Sequence, residues 1–262
     1  MLRVTDLSKA FVSLGRERPT LALREVSLHL EAGGALGVVG RSGSGKTTLV
    51  RCILGLERFK KGKVLLDGQL LRPSPRRGTW RAYRQLQVIW QDPHSYLNPY
   101  STCRDIILEP VGNFLGLRGA RAGRLLEDIL AAVRLEPEVA GKHPHELSGG
   151  QAQRVAMARA LVLEPRVLIC DEPFSALDLP LQWRLMDLLA KLRREWGLSL
   201  LFISHDLAMV SQLCQKVLVM DQGRVVESGP VREVLRNPAH EATRRLLDSA
   251  WFRERGAARA QG

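Results

Sequence analysis

An apolar run, Ala35-Leu36-Gly37-Val38-Val39, passes straight into Gly40-Arg41-Ser42-Gly43-Ser44-Gly45-Lys46-Thr47. Residues 46–56 then carry Leu49, Ile53, Leu54 and Leu56 at helical spacing. This is the pattern G-x-x-x-x-G-K-[ST] set between a buried strand and a helix, the context a phosphate-binding loop requires. Glycine lets the backbone curl so that several N–H groups converge on one anion. The helix that follows turns its partial positive charge to the same point. Gly40, Ser42, Gly43, Ser44, Gly45, Lys46, Thr47 and Thr48 are therefore the candidate phosphate ligands. Lys46 supplies a point charge for the β- and γ-phosphates of a nucleotide, and the Thr47 hydroxyl can reach Mg²⁺.

A phosphate loop needs an acidic counterpart, and Val167-Leu168-Ile169-Cys170-Asp171-Glu172 provides one at the end of a second apolar run. Asp171 can hold Mg²⁺ through its water shell. Glu172, one residue later, can polarise a water that attacks the γ-phosphate. Further apolar runs at Leu200–Ile203 and Val217–Met220 suit strands buried on both faces of a parallel sheet. Residues 2–31 instead show the half-buried alternation of an antiparallel sheet, and Asp221-Gln222-Gly223 reads as a hairpin turn into Arg224–Glu227. Residues 122–135, 151–163 and 181–195 carry amphipathic helical stripes, and the tail after Asn237-Pro238 reads as helical to about Phe252.

Composition narrows the function classes. The 262 residues suit one large α/β domain with a subdomain or tail. No apolar run approaches the roughly 20 residues of a membrane helix, and Met1–Asp6 leads into no signal-peptide core. Cys52, Cys103, Cys170 and Cys214 are scattered, so reduced thiols are expected rather than disulfides or a zinc site. His143 and His145 are read as structural rather than metal-binding. The net charge of +12 is dispersed and aromatic content is 5%, so nucleic acid is not an expected partner.

Leu147-Ser148-Gly149-Gly150-Gln151 adds a second glycine-bearing helix start. With the phosphate loop, Gln91, Asp171-Glu172, Ser175-Ala176-Leu177-Asp178 and His205, it forms an ordered series that resembles the ATP-binding cassette (ABC) ATPases over nearly the whole chain. The resemblance implies a P-loop NTPase core with a parallel sheet, an N-terminal antiparallel β subdomain and an inserted helical subdomain. It places the nucleotide-binding domain at 1–236, the helical subdomain at about 92–163, and a short helical tail at 237–262. ATP and Mg²⁺ are the implied cofactors, with Thr47, Gln91 and Asp171 at the metal. Glu172, His205 and Gln91 are the implied catalytic set. Ser148, Gly149, Gly150 and Gln151 would meet the γ-phosphate of ATP bound to a second cassette, head to tail, and Asp178 would communicate between the two sites. Phe11 lies where the family stacks adenine, without the hydroxyl of the usual tyrosine.

Val88–Pro99 and Asn237-Pro238-Ala239-His240 resemble the peptide, opine and nickel importer group, with Trp90 in place of the usual Phe. The implied partners are two transmembrane permease subunits, a second cassette (identical or homologous) and, indirectly, an extracytoplasmic binding protein. The implied location is peripheral, at the cytoplasmic face of the inner membrane. Oligopeptides lead as the cargo, with nickel or metal–metallophore complexes as the alternative. A non-transport cassette ATPase of translation or DNA repair is the reading from another class.

Overall fold

Alternating and continuous apolar runs become two kinds of sheet in the computed structural model, which describes residues 1–11, 19–71 and 80–248. In chain order the elements are β1 (Leu2–Phe11), β2 (Thr20–Leu30), β3 (Ala35–Val39), α1 (Lys46–Ile53), β4 (Lys61–Leu66), β5 (Gln69–Leu70), α2 (Trp80–Gln85) and β6 (Leu86–Ile89). Then come α3 (Cys103–Leu115), α4 (Gly119–Ala132), α5 (Gly149–Leu161), β7 (Val167–Asp171), α6 (Leu179–Trp196), β8 (Ser199–Ser204), α7 (Leu207–Leu213), β9 (Lys216–Asp221), β10 (Arg224–Pro230) and α8 (Val231–Arg236). The chain forms two units, Met1–Pro75 with Leu200–Gly262, and Arg76–Ser199.

In the first unit, β2, β1, β4 and β5 make an antiparallel sheet in that order. Its strands alternate, with Leu2, Val4 and Leu7 of β1 buried and Arg3 and Thr5 exposed. The other sheet of this unit runs β10-β9-β3-β8. β3 is parallel to β8 on one side and to β9 on the other, and β10 closes the edge antiparallel to β9. Every residue of β3 and β8 is buried, which is why they read as unbroken apolar runs. Gly37 of β3 sits against α7, where an added Cβ would come within 2.3 Å of Val210 Cγ1.

The second unit pairs β6 with β7 in parallel and carries α2 to α6. Helix boundaries follow local chemistry. Thr102 Oγ1 caps α3 by accepting from Asp105 N, and Gly116 ends it in the left-handed conformation. Asp178 Oδ1 caps α6, Pro180 occupies its first turn, and Gly197 terminates it. The stripe Leu185, Leu188, Leu189 and Leu192 is buried.

Boundaries differ from the sequence expectations by a turn or less. The first helix stops at Ile53 because Leu54 caps it and Gly55 turns left-handed at φ 69. The helix expected at 122–135 begins at Gly119 and ends at Ala132, with Arg134 at φ 57 reversing the chain. β10 continues to Pro230. Residues 241–248 are helical, and the rest of the helix expected to about Phe252 lies outside the described residues.

The terminal segment is tied to β10 by one carboxylate. Glu227 accepts hydrogen bonds from the N–H groups of Ala239 and His240 at 2.9 and 3.0 Å, and from the Thr243 hydroxyl. Burial works to raise the Glu227 pKa, but the Thr243 hydroxyl and the two N–H donors outweigh it and leave it below the usual carboxylate value.

Candidate functional site

In the first unit the phosphate loop is shaped by contacts that exclude side chains. A Cβ on Gly40 would lie 2.4 Å from Met220 O and 2.5 Å from Ser44 Oγ, so only glycine fits there. Gly45 has φ 104, and a Cβ there would meet Ala22 O at 2.6 Å. The hairpin between β9 and β10 braces the loop, Gly223 N donating to Ser44 O at 3.0 Å.

Lys46 is 5% exposed and folds back over the loop. Its Nζ donates to Gly40 O at 2.7 Å and Arg41 O at 3.2 Å, which holds the ammonium over the curled backbone. The N-terminus of α1 begins at Gly45 with no side-chain cap and no acidic residue in its first turn. Its N–H groups are thus open to an outside acceptor. The Ser44 hydroxyl is buried without a hydrogen-bond partner. A glycine cradle, an inward cation, an uncapped helix start and an orphaned hydroxyl fit the phosphates of a nucleotide. Ser42, Gly43 and Thr47 are exposed at the loop surface, and Thr48 is half-buried.

His205 belongs to the same unit. Register pairs Val39 of β3 with Ser204 of β8, so Gly40 and His205 each stand one residue past adjacent parallel strand ends. Ser204 Oγ accepts from Asp206 N at 2.9 Å, and Asp206 Oδ1 caps α7 by accepting from Ala208 N at 2.7 Å. Those bonds fix the backbone on the far side of the histidine. Phe11 ends β1 and is 39% exposed, so it is not a core residue of that sheet. Lys9 Nζ stands 4.5 Å from its ring centroid, a cation–π contact.

The second unit holds the carboxylates. Register pairs Ile89 of β6 with Cys170 of β7, so Gln91 and Glu172 emerge two residues later from the same end of neighbouring strands. Such strand ends are where open α/β sheets place ligands. Asp171 is buried at 4% exposure, Glu172 is half-buried, and Gln91 is exposed. Glu172 holds φ 48, an uncommon conformation for a residue with a Cβ. The loop after it is strapped down. Ser175 Oγ donates to Glu172 O at 3.1 Å, and Gln182 Nε2 donates to both Phe174 O and Leu177 O at 2.9 Å.

The start of α5 differs from that of α1. Ser148 Oγ accepts from Gln151 N at 3.3 Å, while Gln151 Oε1 accepts from Ser148 N at 3.0 Å, a reciprocal capping box. Accepting that bond leaves the Ser148 hydroxyl proton free to donate. Gly150 lets α6 come close, since a Cβ there would meet Leu181 Cδ2 at 2.7 Å. Asp178 packs its Oδ1 against Leu181 N at 2.9 Å.

Sequence reasoning missed Gln182, which is buried on the apolar face of α6 one turn before Leu185. A polar residue interrupting that stripe was the available signal. It also missed the carbonyl partners of Lys46, for which the sequence carries no signal. All four cysteines are buried thiols, and burial pushes the Cys52 and Cys103 thiols up to about 11. The rings of His143 and His145 lie 5.7 Å apart, and no group of three metal-ligating side chains occurs among the described residues.

Comparison with known proteins identifies the family. Residues 23–175 match the ABC transporter family model. The chain is 45% identical over 259 residues to the oligopeptide transport ATP-binding protein OppF of Escherichia coli, covering 95% of this chain and 77% of that one. It is 42% identical over 229 residues to OppF of Haemophilus influenzae, covering 87% and 69%. Among solved structures, cbiO1 of Clostridium perfringens, part of the ABC transporter complex cbiONQ, superposes with TM-score 0.77 at 30% identity over 90% of each chain. The cassette MJ0796, solved as a dimer in a post-hydrolysis state with ADP and Pi, gives TM-score 0.78 at 27% identity over 88% of this chain and 99% of that one. With a glycine cradle on one unit, paired carboxylates on the other and these relatives, the chain belongs to the ABC transporter family and is an ATP-binding cassette ATPase.

Proposed function

We propose that this chain hydrolyses ATP to power peptide import through separate transmembrane subunits, as one half of a head-to-tail pair of cassettes. The observation that carries the ATPase part is the pair Asp171-Glu172 at a buried strand end, in a chain whose uncapped phosphate loop fits a nucleotide. The names of its OppF relatives carry the cargo and favour peptides over nickel or metal–metallophore complexes.

ATP is held by the N–H groups of Gly40–Thr48, with Lys46 moving from its loop carbonyls to the β- and γ-phosphates, and Phe11 offers its ring to adenine. Mg²⁺, held by Thr47, Asp171 and Gln91, would neutralise phosphate charge when bound. Glu172 takes a proton from water as the water oxygen bonds to the γ-phosphorus and the bond to the β-phosphate oxygen breaks, releasing ADP and phosphate. His205 donates a hydrogen bond to the γ-phosphate. The N–H groups and hydroxyl at Ser148–Gln151 meet the γ-phosphate held by the partner, and Asp178 links the two sites.

Residues 1–236 act as the nucleotide-binding domain. The helical part at about 92–163 passes the nucleotide state to two permease subunits, and 237–262 is a tail. No helix among the described residues is long and apolar enough to cross a membrane. In this reading the chain sits peripherally, at the cytoplasmic face, held by those subunits. An extracytoplasmic binding protein delivers the peptide. The test is uptake of a labelled oligopeptide and of chelated nickel by cells lacking this chain and complemented with it or with Glu172→Gln. Peptide uptake restored only by the native chain is expected. Restoration of nickel uptake alone would reverse the cargo assignment.

A further inference from the structure

Phe11, at the end of β1, has one face covered by a cation that the chain itself holds in place. Lys9 Nζ lies 4.5 Å from the ring centroid, where the charge is attracted to the electron-rich face of the ring. The same ammonium donates to Glu57 Oε2 and to Arg58 O, each at 2.8 Å. The Lys9 side chain is 11% exposed, so this ion pair is less screened than one in open solvent. A free lysine samples many rotamers, whereas one tied to two acceptors does not. Phenylalanine has no hydroxyl with which to fix its own ring.

These bonds tie the ring to the helix that carries the phosphate loop. Glu57 and Arg58 follow α1, and the N–H groups of Leu56 and Glu57 both donate to Arg51 O in its last turn. Lys60 N donates to Ser8 O, which fastens the same segment to β1. At the other end of α1, Lys9 pairs with Leu23 and Ala10 with Leu21, leaving Ala22 as an extra residue of β2, a bulge. The carbonyl of Ala22 is the group that leaves no room for a Cβ on Gly45. The half-exposed ring thus ends a strand pair braced against both ends of α1.

We infer that Lys9, anchored by Glu57, is a positioning residue for the base of a bound nucleotide, holding the Phe11 ring so that its other face is presented for stacking. The inference rests on the reading of Phe11 as the adenine platform. A ring that is already ordered loses little conformational freedom when a base settles on it. A cation on its far side also draws electron density away from the base, which eases the repulsion between two stacked π faces. The contribution therefore belongs to the base and not to the phosphates.

The test compares ADP with inorganic pyrophosphate, which keeps the two phosphates and lacks the base, by calorimetric titration of the purified chain. Lys9→Met removes the charge and keeps an unbranched stem. It should weaken ADP binding by about two- to fivefold and leave pyrophosphate binding unchanged, a split that a general loss of structure would not produce. Glu57→Gln should act in the same direction and less strongly, and Lys9→Arg should recover most of the affinity. Phe11→Ala should weaken ADP more than Lys9→Met does, and adding Lys9→Met to it should change nothing further, because no ring is left to position. If Phe11→Ala loses ADP affinity while Lys9→Met and Glu57→Gln do not, this inference falls and the platform stands. Equal losses of ADP and pyrophosphate in Lys9→Met would make Lys9 a general anion attractor and overturn the inference as well. If Phe11→Ala binds ADP like the native chain, the platform reading falls and takes the role of Lys9 with it.

Discussion

The starts of α1 and α5 use the same device, glycines at a helix N-terminus, in opposite states of readiness. α1 has no side-chain cap, so its donors face outward around a buried lysine. α5 closes its own first turn with the Ser148–Gln151 box and keeps only part of its donor set for a ligand. The first can therefore hold an anion alone. The second can add to an anion that something else already holds. Under the proposed head-to-tail pairing, this difference would let one chain bind nucleotide while turnover calls for two.

The strongest way to break the comparison is to remove its chemistry and leave both helix starts intact. Glu172→Gln should lower steady-state phosphate release by about 10²–10⁴-fold while ATP affinity persists. Equal turnover in the two proteins would remove Glu172 from its role. Next in size is Gly40→Ala. Its methyl group would strike Met220 O and Ser44 Oγ and distort the cradle. Binding of a fluorescent ATP analogue should weaken by about tenfold or more, the factor that loss of roughly 1.4 kcal/mol produces. Undiminished affinity would show that α1 does not work through this loop geometry.

Ser148→Ala sharpens the same contrast. It removes an N-cap acceptor, so thermal stability should fall by about 1 kcal/mol. ATP affinity of the monomer should stay unchanged and turnover should drop. A matching loss of monomer affinity would mean that α5 contributes to the chain's own nucleotide.

The smallest effect is expected at Glu227, far from both helix starts in role. Its folded pKa is depressed, so the unfolded chain binds its proton more readily. The stability it contributes is present above the unfolded carboxylate pKa and is lost as pH falls through the folded one. Denaturant midpoints measured from pH 7 down to pH 3 should therefore fall more for the native chain than for Glu227→Gln. Parallel curves would remove the carboxylate from this account.

Much of this architecture was legible in the sequence because each signal had a local cause. Ala35–Val39 and Val167–Cys170 are uninterrupted apolar runs because both faces of those strands are buried. Gly40 and Gly45 are glycines because a carbonyl occupies the space of a Cβ. What escaped depends on partners distant in sequence. Helix α1 ends at Ile53, whereas the periodicity ran on to Leu56, which is 64% exposed and so contributes apolar spacing without burial. The close approach of α5 to α6 at Gly150 is one such case, and no spacing along the chain announces it.

Gln182 has a mechanical consequence. Its amide grips the main chain at Phe174 and Leu177, while Ser175 grips Glu172 and Asp178 anchors the first turn of α6. The segment from Glu172 to Asp178 is thereby a strut rather than a hinge. A push delivered at Asp178 reaches Glu172 with little slack to absorb it. Two such struts, one in each cassette, would let either nucleotide set the tempo of the other.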